Sequence, residues 1–267
     1  MRELPQKFLA AMIALSALPG SPLYDGNDNR IIQHSLEDLE AYKAAGVDSI
    51  IIENDFDVPY ITPPLPQAAT DVVIRIAKEI RKRFDGPLGV QMLEGANETS
   101  LEIAVSADFD FIRVEGFVYG HVGPAGIIKG CAGELLRKRK QLGAEHIKIF
   151  GDVKKKHTAH ALTADLDITD EVMQAELFLI DGVVVTGKFT GKEADKEDLE
   201  KVKNVTTLPV VIGSGITKEN IRDYFHLADG FIVGSTFRKD GKFLEQLDEK
   251  RLKAFMDVFT PLRQSQK

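Results

Sequence analysis

Two short turns near the C-terminal end of the chain contain the residue types of a phosphate-binding site. Gly213, Ser214 and Gly215 follow one apolar run, and Gly234 and Ser235 follow the next. Glycine lets a backbone turn sharply and approach an oxyanion closely, so that backbone N–H groups and serine hydroxyls can donate to it. One such turn is most often an ordinary strand-to-helix corner. Two turns after neighbouring strands indicate a site for a phosphorylated ligand.

Charged and amide side chains follow the other apolar runs. Arg113 and Glu115 are two residues apart in the run "FIRVEG", so both side chains point to the same face of a strand. A charge inside a parallel strand is costly to bury unless it is paired. These residues therefore form either a structural layer of salt bridges or a set of substrate-binding and acid–base groups. The candidate catalytic residues are Glu53, Asp57, Arg113, Glu115, Asp152, Lys156 and His157.

The candidate ligand-binding residues include Thr186 and Gly187, which end a third apolar run and could form another wall of the phosphate site. The full set of predicted substrate- or phosphate-binding residues is Asp25, Asn54, Gln91, Asn97, Thr186, Gly187, Gly213, Ser214, Gly215, Gly234 and Ser235. A divalent metal such as Mg²⁺ would suit Glu53, Glu115, Asp152 and His157 if these side chains converge. The sequence contains no compact ligand motif, so no cofactor is predicted.

Short Val/Ile-rich runs alternate with helix-patterned segments along the whole chain, which is typical of parallel strands covered by helices. Eight such units predict a single (β/α)8 TIM barrel, one domain over residues 1–267, with the phosphate site after strands 7 and 8. An open, doubly wound sheet is the alternative. Ser35 is predicted to cap the first helix. The predicted strands are 10–18, 48–54, 88–93, 111–116, 146–153, 182–187, 208–213 and 230–234, and the predicted helices are 35–45, 67–84, 98–106, 126–142, 167–177, 195–204, 217–226 and 247–262.

Composition excludes several classes of function. The net charge of −7 argues against a nucleic-acid surface, which needs a basic patch. Cys131 is the one cysteine, so no intramolecular disulfide can form, and a cytoplasmic location is expected. The apolar run near the N-terminus could pass for a signal peptide, but the fold pattern needs it as the first strand. No apolar window is long enough to span a bilayer.

Several blocks of the sequence resemble a known family. Residues of roughly 181–237 are similar to the ribulose-phosphate-binding barrel superfamily. The blocks "ALPGSPLYDGN", "GVDSIIIENDFDVPY", "FIRVEGFVYG", "GDVKKKH", "DGVVVTGKFTG" and "LPVVIGSGIT" with "FIVGSTF" resemble the BtpA/SgcQ family nearly end to end. The resemblance implies a phosphate-binding TIM barrel and, by analogy with that superfamily, a homo-oligomer. One branch is named for photosystem I biogenesis and another from a carbohydrate gene cluster, so neither name implies a reaction.

Three functions fit these observations. The first is an enzyme that performs isomerase, epimerase or lyase chemistry on a sugar phosphate or nucleoside-derived phosphate, with a carboxylate moving protons. The second is a non-catalytic assembly or biogenesis factor that uses the barrel as a binding module. The third is a transferase that uses the same site for a prenyl or glycerol-phosphate substrate. The first is the favoured prediction.

Overall fold

The computed structural model describes residues 2–187, 191–242 and 245–265. Its strands are β1 (Phe8–Ala14), β2 (Ser49–Glu53), β3 (Leu88–Gln91), β4 (Phe111–Val114), β5 (His121–Gly123), β6 (Gly126–Ile128), β7 (Lys148–Val153), β8 (Gly182–Val185), β9 (Val210–Ile212) and β10 (Gly230–Val233). Its helices are α1 (Asp28–Ala45), α2 (Gln67–Arg81), α3 (Asn97–Ala107), α4 (Ala132–Gln141), α5 (Ile168–Leu177), α6 (Lys196–Val205), α7 (Ile221–Tyr224) and α8 (Glu249–Gln264).

Eight of the strands form a closed parallel barrel in the order β1, β10, β9, β8, β7, β4, β3 and β2. A helix follows each barrel strand, so the predicted (β/α)8 TIM barrel is confirmed. The other two strands, β5 and β6, pair as an antiparallel hairpin. None of the helices within the described ranges is long and apolar enough to cross a membrane.

Two groups of apolar side chains build the core. The larger group packs between the strands and the helices, and the smaller group fills the barrel interior. Inside the barrel, Phe8, Phe111 and Phe150 each lie over a glycine of the neighbouring strand, where a Cβ atom would come within 2.1–2.5 Å of the ring. Successive side chains of a strand point alternately into and out of the barrel. Above the apolar layer, the inward-pointing residues at the carboxyl-terminal rim are polar.

The helix predicted over 126–142 is wrong in its first turn. Residues Gly126–Ile128 are strand β6, and helix α4 begins at Ala132. Gly126 has a φ of +125°, a backbone conformation that ends a helical pattern and suits a hairpin turn. The β-branched Ile127 and Ile128 favour the extended conformation in β6.

The predicted cap of the first helix is also wrong. Helix α1 begins at Asp28, and the side chain of Asn27 accepts a hydrogen bond from the backbone N–H of Arg30. Ser35 lies inside the helix, where its hydroxyl donates to the carbonyl of Ile31 at 2.9 Å. A serine followed by acidic residues resembles a helix start, but a serine inside a helix can instead bond to the carbonyl four residues earlier.

Candidate functional site

A cavity of about 360 Å³ lies at the carboxyl-terminal end of the barrel. The two glycine corners and most of the polar strand-end residues line it together. In a TIM barrel this face holds the functional site, because the loops that follow the strands converge there. The lining residues are Met12, Glu53, Asp55, Tyr60, Gln91, Leu93, Glu94, Arg113, Glu115, Pro124, Asp152, Lys155, Lys156, His157, Gly213, Ser214, Gly215, Ile216, Ile232, Val233, Gly234, Ser235 and Thr236.

The two glycine corners after β9 and β10 lie side by side. The Thr236 hydroxyl donates to the carbonyl of Ile216 at 2.6 Å and joins one corner to the other. Within the described residues, the backbone N–H groups of Gly215, Ile216, Ser235 and Thr236 donate to no protein acceptor. The corners therefore present adjoining, unused donors at the edge of the cavity.

Arg113 lies at the centre of the cavity floor. Its Nε and Nη2 atoms donate to the two carboxylate oxygens of Asp152 at 2.9 and 3.1 Å, and its Nη1 atom donates to Glu53 at 3.2 Å. All three side chains are buried. The guanidinium extends from β4 towards β9, where a Cβ atom on Gly213 would lie 3.0 Å from Nη2. Glycine at position 213 thus leaves room for the arginine.

Glu115 is the centre of a second buried cluster. It accepts hydrogen bonds from the Gln91 amide at 3.0 Å and from the Gly95 N–H at 3.1 Å. The Lys155 ammonium lies 3.0 Å from Glu115 and 3.6 Å from Glu94. Burial raises the pKa of Glu115 to about 7, although Lys155 opposes this effect.

Two carboxyl groups, at the end of β2 and just after it, share an environment that favours their neutral forms. Burial raises the pKa of Glu53, although Arg113 opposes the increase. Burial also raises the pKa of Asp55 well above its ordinary value, and the charge of Glu53 adds to this effect. The Asp55 side chain is 2% exposed, and its Oδ2 atom has no hydrogen-bond partner among the residues that the structure describes.

Lys156 brings to the cavity an ammonium group that is unpaired within the described residues. Its backbone N–H donates to the Thr186 hydroxyl at 3.2 Å, which fixes the segment that follows β7. In the part of the chain that the structure describes, its side chain makes no ion pair and no hydrogen bond. Burial lowers the pKa of Lys156, and the positive charge of Arg113 lowers it further. Burial likewise lowers the pKa of His157.

Six of the predicted site residues do not line the cavity. Four of them hold nearby backbone in place, and one of these four is Thr186, whose hydroxyl accepts from the Lys156 N–H. Asp57 accepts from the Leu18 N–H at 3.1 Å, and Asn54 accepts from the Leu93 N–H at 2.7 Å. Asn97 donates to the carbonyl of Glu115 at 2.7 Å. These four residues position the loops of the site. The other two are Asp25, which is ion-paired with Arg30 on the surface, and Gly187, which packs against the backbone at residues 192 and 193.

Lys155 and Asp55 are cavity residues that the predicted site omits. Strand alternation after β7 favours Lys154 and Lys156 as the inward-facing lysines. Lys154 has a φ of +44°, however, so the alternation ends there, and its ammonium instead donates to the carbonyls of Thr163 and Leu166. Asp55 could have been found, because it lies two residues after Glu53 and continues the inward face of β2.

The predicted metal ligands do not form a compact group. Among residues 2–187, 191–242 and 245–265, no three His, Cys, Asp or Glu side chains are placed to hold a metal ion together. Arg113 lies between Glu53 and Asp152, where a cation bound by both carboxylates would lie.

The closed barrel with a polar cavity at its carboxyl-terminal rim defines the chain as a TIM-barrel protein. Known structures have the same fold at low sequence identity. Phosphoribosyl anthranilate isomerase from Thermus thermophilus is 11% identical with a TM-score of 0.59, and the alignment covers 96% of this chain and 100% of that one. Orotidine 5′-monophosphate decarboxylase from Methanocaldococcus jannaschii is 18% identical with a TM-score of 0.58, over 96% and 99% of the two chains.

The chain belongs to the BtpA family, whose family model matches residues 5–260. An uncharacterized mitochondrial protein of Caenorhabditis elegans is 40% identical, over 94% of this chain and 92% of that protein. The photosystem I biogenesis protein BtpA of Synechocystis is 32% identical, over 92% and 86% of the two chains. The predicted resemblance to this family is thus confirmed. Residues 188–190 of the block "DGVVVTGKFTG" lie outside the described residues.

Proposed function

We propose that this protein is an enzyme that acts on a small phosphorylated metabolite, with the phosphate held by the corners after β9 and β10. The observation that supports this proposal is the position of the unused backbone N–H groups. They border the cavity that also contains Glu53, Arg113 and Lys156. A phosphate bound at the corners would extend the rest of the ligand over these side chains. Binding energy from the phosphate would then orient the reacting carbon or hydroxyl.

Glu53 is the best candidate for a proton-transfer group. Arg113 contacts both oxygens of Asp152, whereas only one oxygen of Glu53 accepts from it. The raised pKa of Glu53 makes it a stronger base than an exposed carboxylate. The unpaired Lys156 ammonium would stabilise negative charge that develops on the substrate. This division of roles supports isomerase, epimerase or lyase chemistry.

The names of the two structural neighbours agree with this class of substrate. One is a phosphoribosyl isomerase and the other is a nucleoside monophosphate decarboxylase. The likeness to them shows the fold alone, so the proposal depends on the cavity of this chain.

A second candidate function is a non-catalytic role in assembly or biogenesis. The observation that favours it is the name of the Synechocystis relative, a photosystem I biogenesis protein. In that role the cavity would bind a regulatory ligand, or none. We also propose a cytoplasmic location. The nematode relative carries the name of a mitochondrial protein, so fractionation of the source cells is needed to test this proposal.

Ligand-dependent thermal stabilisation tests the enzyme proposal. Purified protein is titrated with inorganic phosphate, with sugar phosphates and with nucleoside monophosphates, each with and without Mg²⁺. A ligand at 100 times its dissociation constant stabilises the folded state by about 2.7 kcal/mol. Turnover of each stabilising sugar phosphate is then followed by phosphorus and proton NMR.

Ser235→Asp is the diagnostic variant for the corner. Ser235 is half-buried at the cavity edge. A carboxylate there would repel a phosphate by about 3 kcal/mol per pair of unit charges at 5 Å and an effective dielectric of 20. Anion affinity should fall at least 100-fold. Ser265→Asp makes the same charge change beyond the C-terminal end of α8 and should leave affinity unchanged. If no phosphorylated compound stabilises the wild-type protein, the enzyme proposal in this form is refuted.

A further inference from the structure

In the described ranges of the chain, two buried oxygen atoms at the cavity have no hydrogen-bond partner. They are Oδ2 of Asp55 and Oε1 of Gln91, on side chains that are 2% and 1% exposed. Both residues line the cavity at the barrel mouth. A buried acceptor without a partner is rare in a folded protein, because it loses its bond to water and gains none in return. A ligand that donates hydrogen bonds would satisfy both atoms.

The neighbouring residues leave both oxygens open. The Gln91 amide nitrogen donates to Glu115 at 3.0 Å, which orients the amide and leaves Oε1 as the unused acceptor. The Tyr60 hydroxyl approaches Asp55 but donates to its backbone carbonyl at 2.8 Å, not to its carboxyl group. The protein thus fixes both side chains without bonding to these atoms.

The two acceptors lie across the barrel mouth from the glycine corners. Gln91 ends β3 and is the register partner of Glu53 at the end of β2, and Asp55 follows Glu53 by two residues. Strand β9, which precedes one corner, is four positions from β3 and three from β2 around the closed barrel. Strand β10, which precedes the other corner, is three positions from β3 and two from β2. A ligand with its phosphate at the corners would cross Arg113 and place its other end at Asp55 and Gln91.

We infer that Asp55 and Gln91 bind hydroxyl groups of the substrate, and that the substrate is a polyhydroxylated phosphate monoester, a sugar phosphate. This inference rests on the proposed function, because it places the phosphate at the glycine corners. A hydroxyl group suits these acceptors better than an ammonium group, since the unpaired Lys156 ammonium lines the same cavity and would repel a second cation. A cavity of about 360 Å³ is at the small end of the range for ligand sites, which fits a monosaccharide and not a dinucleotide.

The test compares three kinds of probe by isothermal titration calorimetry on the full chain. Inorganic phosphate reports on the corners alone. Pentyl phosphate adds length without hydroxyl groups. Glyceraldehyde 3-phosphate, ribose 5-phosphate and glucose 6-phosphate add hydroxyl groups. At least one of these three sugar phosphates should bind about tenfold more tightly than pentyl phosphate, because two well-placed hydrogen bonds are worth this factor or more.

Asp55→Ala is the decisive variant. Within the described residues, Oδ2 of Asp55 has no hydrogen-bond partner, and the one hydrogen bond given for this residue uses its backbone carbonyl, so the variant should fold. It should retain the wild-type affinity for inorganic phosphate to within about threefold, while the sugar phosphate loses its advantage over pentyl phosphate. The ratio of these two affinities removes any general effect of charge, because both ligands carry the same phosphate. Asp25→Ala is the matched control. It removes a carboxyl group that lies outside the cavity and should leave the ratio unchanged.

Gln91→Met is a second variant, in which the new side chain has a shape similar to that of glutamine. It should also reduce the ratio.

The outcomes separate the two proposals. If inorganic phosphate and pentyl phosphate do not bind, the corner site and the proposed function are refuted. If they bind but no sugar phosphate binds more tightly than pentyl phosphate, the inference about hydroxyl groups is refuted and the phosphate site stands. A ratio that is unchanged in Asp55→Ala also refutes the inference.

Discussion

Replacement of Arg113 by methionine tests whether the buried ion pairs hold the barrel mouth together. Arg113, Glu53 and Asp152 have side chains that are at most 7% exposed, and three hydrogen bonds join them. The Arg113→Met variant removes the cation but leaves both carboxylates buried. Removing one partner of a buried ion pair destabilises a protein by about 3–5 kcal/mol, because the remaining charge is uncompensated. Two carboxylates lose their partner in this variant, which could double the loss of stability. Lys156 is a second cation in the same cavity and attracts both carboxylates, so we expect a loss of about 3–5 kcal/mol.

Equilibrium unfolding in urea, followed by far-UV circular dichroism, measures the effect. The chain has no tryptophan, so helix content is a better signal than intrinsic fluorescence. With a denaturant slope of about 3 kcal/mol per molar for a chain of this size, the midpoint should fall by roughly 1–2 M urea. Arg137→Met, at an exposed position on α4, is the control and should change stability by less than about 0.5 kcal/mol.

A triple variant distinguishes two effects. One is the destabilisation caused by an uncompensated buried charge, and the other is the stabilisation that the ion pairs provide. Glu53→Leu, Arg113→Met and Asp152→Leu together leave no buried charge in this group. Replacing a complete buried ion-pair group with apolar residues is often neutral or stabilising. The triple variant should therefore recover most of the stability that Arg113→Met loses. If Arg113→Met unfolds at the wild-type urea concentration, the buried pairs do not stabilise the fold and the reasoning fails.

Two further predictions concern pH and backbone conformation. Because the folded state raises the pKa of Asp55, it binds the proton more tightly than the unfolded chain, and wild-type stability should fall as pH rises above about 4. The raised pKa values of Glu53 and Glu115 contribute to the same decline, so Asp55→Asn should make it smaller without abolishing it. Urea unfolding at several pH values measures the change, and equal pH profiles for the two proteins would contradict the assignment. A Cβ atom on Gly215 would lie 2.2 Å from the Lys192 carbonyl oxygen at a φ of +78°, whereas Gly143 has a φ of +63° and open space. Gly215→Ala should therefore lower the melting temperature much more than Gly143→Ala, which adds only the backbone strain of a positive φ, about 1 kcal/mol. Equal losses in the two variants would refute the packing argument.

The fold could be predicted from the sequence because its signal repeats. Eight apolar runs separated by helix-patterned segments allow few architectures, and the element order of the barrel agrees with that expectation. Errors occur where a local pattern has two physical solutions. The serine at position 35 satisfies its hydroxyl inside a helix as well as at a cap. Residues 126–128 pair with β5 because of a turn at Gly126 that periodicity does not reveal.

The site could be predicted in part for the same reason. Alternation along β2, β4 and β7 correctly brings Glu53, Arg113 and Asp152 to one cavity. Alternation fails one residue past the end of β7, where Lys154 adopts a positive φ and Lys155 becomes the partner of Glu115. Roles in holding the backbone, such as that of Asp57, also cannot be predicted from the sequence. The N–H group that Asp57 accepts from belongs to Leu18, 39 residues earlier in the chain, and no local pattern links the two.

The charge of the cavity explains why the two ends of the site need different chemistry. Its lining includes five carboxyl groups and three basic side chains, so a fully ionised cavity would repel a phosphate. Burial opposes that state, because it raises the pKa of Glu53, Asp55 and Glu115 and favours their neutral forms. The glycine corners follow strands that lie two to four positions away around the barrel from β2 and β3, and they offer backbone dipoles that carry no counter-charge. An anion at the corners and neutral hydroxyl groups at Asp55 are therefore mutually compatible.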